Sequence, residues 1–166
     1  MNDAARAAGK AGGPGPPVPP DPAGITVRRV LLASEGRAIP KRAIDYAARL
    51  GAPVHVFSVA RVWGTSLGFP NPGLLPTRQE WDEQRKLVAA AVKALRGRGV
   101  DADGRVLGTR RATKRIVGEA ERLGCDAIVM AADPPRNRLV ADFLWSQEPY
   151  RVRRRAKVPV YLVRAE

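Results

Sequence analysis

His55 is the only histidine in the chain and Cys125 the only cysteine, so each common catalytic role has few candidates. Histidine is the usual general base and a thiolate the readiest nucleophile near neutral pH. His55 falls inside an apolar run, Val54-His55-Val56-Phe57-Ser58-Val59, where a structural role is expected. Cys125 precedes another such run, and a thiol buried there stays protonated and inert. Ser34 and Ser146 have no histidine partner for triad-type activation. Glu35, Asp126 and Asp133 stand near expected strand ends, but no spacing fixes any two of them as an acid–base pair. No group of His, Cys and carboxylates has metal-ligand spacing. Gly97-Arg98-Gly99 lies between a helix and a strand, whereas a dinucleotide fingerprint follows a strand and opens a helix. Neither a catalytic set nor a metal site is expected.

Positive charge is more plentiful. Lys and Arg number 29 against 16 Asp and Glu, a formal net charge of +13. Such a surplus attracts phosphates, nucleic acid or anionic surfaces at low salt. Tyr150-Arg151-Val152-Arg153-Arg154-Arg155, with Trp145 before it, mixes aromatics and arginines as nucleic-acid surfaces do. The preferred reading is a solvated helix with cations near its C-terminal end, where the macrodipole favours them. The alternative is a nucleic-acid or polyanion binder that uses Arg151 to Lys157.

These residues need elements to position them. Val27 to Ala33 reads as a first strand, and Pro40 suits the first turn of a helix that Gly51 ends. Val54 to Val59 is a second strand. Residues 61 to 77 form a long Gly/Pro-marked connection, a lid, a binding surface or a mere insertion. Thr77 and Glu80 have capping-box spacing, and the helix they open turns Trp81, Val88, Ala91, Val92 and Leu95 inward. Val100 to Leu107 is a third, more polar strand nearer an edge. Ala112, Ile116, Ala120 and Leu123 mark a helix stopped by Gly124. Ala127 to Ala131 and Val158 to Val163 are short apolar strands with a loop and a basic helix between them. Strands that alternate with helices and are apolar throughout mean an open parallel sheet covered on both faces. Ligands of such sheets sit beyond the carboxyl ends of the strands, so residues 131 to 146 are where a ligand is sought.

Residues 1–24 are Ala, Gly and Pro with few large apolar side chains, and read as a disordered tail. Residues 25–166 read as one domain. No apolar run approaches the roughly 20 residues that cross a bilayer, and no secretory signal is seen. With one cysteine there is no internal disulfide, which fits the cytoplasm.

Three stretches carry a family likeness: Val30-Leu31-Leu32-Ala33-Ser34-Glu35-Gly36, Ile116 to Met130, and Ala156-Lys157-Val158-Pro159-Val160-Tyr161-Leu162-Val163. In order and spacing they resemble the universal stress protein family from Val27 to Arg164, with Glu35 where Asp is usual. The resemblance implies a Rossmann-like fold of the adenine nucleotide alpha hydrolase type, five strands in the order 3-2-1-4-5. It also implies a homodimer, with Val158–Val163 as the edge strand able to pair with its copy.

Many members hold ATP through a Gly-two-Gly-nine-Gly-Ser/Thr pattern after the fourth strand. Here Ala131 and Pro134 stand at the first two glycines, and Ser146 and Gln147, after a two-residue insertion, at the final pair. Pro134 and Pro135 lack the N–H that such a loop turns toward phosphate. Glu35 lengthens the carboxylate placed near the nucleotide, and Val59 matches the position whose backbone meets adenine. The expectation is a non-enzymatic stress-response protein without a cofactor, acting through unidentified protein partners and with weak or no ATP binding. In a divergent alternative, Arg136 and Arg138 replace the lost donors and ATP is kept.

Overall fold

The computed structural model describes residues 18–61, 65–66, 69–70, 76–132 and 148–165. Five parallel strands form one sheet: β1 (Val30–Ser34), β2 (Val54–Arg61), β3 (Ala102–Thr109), β4 (Ala127–Ala132) and β5 (Val160–Arg164). Their order is β3-β2-β1-β4-β5, the 3-2-1-4-5 arrangement expected. Thr65–Ser66 and Phe69–Pro70 pair separately as a two-residue antiparallel bridge.

Alternation along each strand feeds two cores. Val30, Leu32, Val54 and Val56 pack under α1 (Lys41–Arg49) and α2 (Arg78–Arg96). Leu31, Ala33, Phe57 and Val59 pack under α3 (Ala112–Leu123) and α4 (Glu148–Arg155). Each large aliphatic side chain buried this way contributes about 1.5–3 kcal/mol, so both faces of the sheet are anchored.

The helix boundaries follow local chemistry. Thr77 Oγ1 accepts from Glu80 N at 3.2 Å while Glu80 Oε2 accepts from Thr77 N at 2.7 Å, the reciprocal capping box expected. Gly124 ends α3 in the left-handed conformation at φ 63°. Gly104 lets α2 approach β3: a Cβ there would stand 2.6 Å from Val88 Cγ1 and 2.7 Å from the Val56 carbonyl oxygen.

Two expectations shift. The first strand begins at Val30, because the N–H groups of Arg28 and Arg29 donate to the Asp126 carboxylate instead of to a neighbouring strand. Of the expected tail, residues 18–24 are described, and part of this segment is tied to α1. Asp21 caps a short 3-10 turn, Pro22–Gly24, and Pro22 is buried. Tyr46 donates to the Pro20 carbonyl at 2.9 Å, and Arg49 pairs with Asp21 at 2.9 Å. The long-range partners on α1 hold what composition alone reads as loose.

Candidate functional site

The strand order reverses at β1, so the crevice between the carboxyl ends of β1 and β4 is the natural ligand position. The turn after β1 is built by its own side chains. Ser34 Oγ donates to the Arg37 carbonyl at 2.6 Å and accepts from Arg37 N at 3.1 Å. Gly36 takes φ 95°, a conformation that suits glycine. Ser34 is thereby a turn-holding residue. Glu35 is 5% exposed, with its Oε1 3.6 Å from Arg37 Nε.

Gln84 of α2 spans the ends of β1 and β2. Its Nε2 donates to the Gly36 carbonyl at 3.0 Å, and its Oε1 accepts from the Ser58 hydroxyl at 2.6 Å. The described residues therefore leave little room. Ala33, Ser34, Glu35, Arg37, Met130 and Ala131 are among those around a cavity of about 60 Å³. On the β2 side, the described residues around a second space of about 280 Å³ include Glu35, Glu80 and Glu83, with Arg37 as the one cation among them. Small-ligand sites generally enclose about 300–1,000 Å³. Three carboxylates around one guanidinium also repel phosphate rather than attract it.

The expected nucleotide positions fall as follows. Glu35 lies at the crevice. Val59 is not at a strand end, because β2 continues to Arg61; it pairs in register with Leu107 and its side chain is fully buried. Ala131 is not in a turn: β4 runs to Ala132, and Ala131 pairs with Val163 of β5. Pro134, Arg136, Arg138, Ser146 and Gln147, like Asp133 and most of the 61–77 connection, lie outside the described residues. Asp126 stands at the amino end of β4, opposite Glu35. Burial pushes its carboxyl up, but hydrogen bonds from the N–H groups of Arg29 and Arg28 outweigh this and hold it below the usual range. The two carboxylates therefore do not form an acid–base pair.

A polar cluster that the sequence did not suggest lies under α3, toward the amino ends of the strands. His55 Nδ1 is 2.7 Å from Asp103 of β3, and Nε2 is 3.3 Å from Glu119 Oε1 of α3. Glu119 also meets Arg105 at 3.1 Å and Arg122 at 2.8 Å. Burial pushes the Glu119 carboxyl up, yet the Arg122 hydrogen bond and the charges of Arg105, Arg122 and His55 hold it below the usual range. This is ion-pair architecture inside a core. Cys125 is buried, and burial pushes its thiol up to about 11. No group of three or more His, Cys, Asp and Glu suited to a metal occurs among the described residues. No described helix is long and apolar enough to cross a membrane.

The five-stranded sheet, with helices on both faces, defines a doubly wound, Rossmann-like α/β protein. The family model described as "Universal stress protein family" matches residues 26–164, and the chain belongs to that family. Among curated proteins none matches. A universal stress protein from Archaeoglobus fulgidus is similar in structure at 20% identity, with 85% of this chain and 96% of that chain covered and a TM-score of 0.61. The Archaeoglobus fulgidus protein in complex with dAMP is similar at 19% identity, covering 84% and 100%, TM-score 0.60. A universal stress protein in complex with cAMP is similar at 17% identity, covering 86% and 100%, TM-score 0.57.

Proposed function

We propose that this chain is a non-catalytic universal stress protein that acts in the cytoplasm, as a homodimer and through protein partners, without holding ATP in the family's crevice. One observation carries the reading. The described residues at the switch point enclose about 60 Å³ around the buried Glu35, far below the space a nucleotide fills. The adjoining space is lined mainly by carboxylates. Pro134 and Pro135 support it from the sequence, since neither has an N–H to offer a phosphate.

Two similar structures hold dAMP and cAMP, so these nucleotides make the test. Each is titrated calorimetrically into the purified protein at about 0.15 M salt, where loose surface attraction is screened. The expected result is no saturable heat from either. Saturable, stoichiometric binding of dAMP or cAMP overturns the reading, because a single phosphate then suffices and the adenine is recognised.

A further inference from the structure

A much wider concavity lies elsewhere, between the start of α3 and the exposed side of α4. It holds about 720 Å³ and shares no lining residue with the crevice at Glu35. Six cations line it: Arg110, Arg111 and Lys114 at the start of α3, and Arg151, Arg154 and Arg155 along α4. The α4 residues recur at i, i+3 and i+4, which places them on one face, while Val152 is turned into the core.

Among the described residues one carboxylate lines the cleft, and it is occupied. Glu148 Oε2 accepts from the Thr113 N–H at 3.2 Å and from the Thr113 hydroxyl, so it caps α3. Its Oε1 is 3.3 Å from Arg151. Among the described residues, Arg110, Arg111, Lys114, Arg154 and Arg155 are exposed, and none has a carboxylate partner. Lys157, by contrast, is turned to Glu121 at 3.3 Å and does not line the cleft. The basic surface is thus not the linear segment 151–157 but a convergence of two helices.

Five uncompensated cations facing one concave volume repel each other, and that arrangement is relieved by a dense anion. Guanidinium groups bind phosphate through paired N–H donors. Among the described residues no aromatic side chain lines the cleft, so these residues offer no platform on which a base would stack. A concave site also suits a narrow chain better than a flat bilayer. The geometry points to a binding site for a linear oligophosphate, several linked phosphates recognised through their charge and without a base. This assignment stands independently of the crevice reading above.

The test uses inorganic tripolyphosphate, titrated into the full chain at about 0.15 M salt. Saturable one-to-one binding is expected, and it should weaken as salt is raised further. Arg111→Ala with Arg154→Ala should weaken it about tenfold or more, the scale of losing two charge-assisted contacts. Lys114→Glu should weaken it as well. Arg42→Ala with Lys86→Ala removes the same charge from exposed positions on α1 and α2 and should leave binding within about twofold, as expected where no direct contact is lost. Absence of binding in the folded wild-type protein overturns the site, as does equal loss in the two double variants. A single-stranded oligonucleotide that binds tighter than tripolyphosphate at the same salt replaces the proposal with nucleic-acid binding. Mg·ATP is expected to bind no tighter than tripolyphosphate, which separates this cleft from any adenine-dependent site at Glu35.

Discussion

His55 Nε2 of β2 stands 3.3 Å from Glu119 Oε1 of α3, and both side chains are buried. The contact sets two polar side chains between helix and sheet, without a hydrogen bond at Nε2, where their neighbours use apolar packing. A carboxylate so placed stays ionised only because Arg105 and Arg122 approach it from the solvent side.

That arrangement sets the acid limit of stability. The Glu119 carboxyl lies below its ordinary value of 4.5 in the folded chain, so folding favours its ionised form. Its contribution is full above the unfolded value and is lost as pH falls through the folded one. The melting temperature of the wild type should therefore fall below about pH 4.5, the ordinary value of that carboxyl. Glu119→Gln should flatten that part of the profile. It should also lower stability at neutral pH by about 1–3 kcal/mol, less than for a fully dry pair because both arginines reach solvent. An unchanged acid slope in the variant would remove Glu119 from the account.

Gln84 carries a second prediction. Removing it in Gln84→Ala leaves the buried Ser58 hydroxyl and the Gly36 carbonyl without their partner, a cost of about 1–3 kcal/mol. Denaturant unfolding of Gln84→Ala, Ser58→Ala and the double variant should give a coupling of about 0.5–3 kcal/mol. Additive losses would mean that the bridge contributes nothing of its own.

Gly104→Ala should destabilise by about 1–3 kcal/mol through overpacking. One of the two clashing atoms is the Val56 carbonyl oxygen, 2.7 Å away, and backbone cannot step aside as a side chain can. Trimming Val88 to Ala in the same chain should therefore not restore the wild-type midpoint.

Much of this was legible in the sequence, and the reason is range. The Thr77–Glu80 box spans one helical turn, Gly124 acts on the residues just before it, and alternating apolar strands declare which sides are covered. Such signals act within a few residues. The polar cluster joins His55 to Asp103, 48 positions away. The basic cleft depends on Thr113 meeting Glu148 across 35 positions. No local pattern encodes those meetings. Strand lengths differ from the local signal too, since Val59 and Ala131 stand at expected strand ends yet lie inside ladders. A pairing partner from another part of the chain decides where a strand stops.

Cys125 should be inert. Burial pushes its thiol up to about 11, so almost none is thiolate at pH 8, and the thiolate is the reactive form. A disulfide reagent added to the folded protein at that pH should titrate no thiol until denaturant is present. Rapid reaction of the native chain would show that the residue opens to solvent.

Association tests the homodimer. β5 is hydrogen-bonded to β4 alone within the sheet, and an edge strand offers its other side to a second copy. Each chain carries a formal charge of +13, so two copies repel, and salt that screens this repulsion should favour pairing. Sedimentation equilibrium should therefore show a dimer that tightens from low to moderate salt. The melting temperature should rise with protein concentration, as it does when folding and assembly are linked. Val160→Lys places a charge on the edge and should shift the equilibrium toward monomer. A wild-type chain that remains monomeric at high concentration and moderate salt excludes the edge as an interface, because screening has then removed the one force that opposed it.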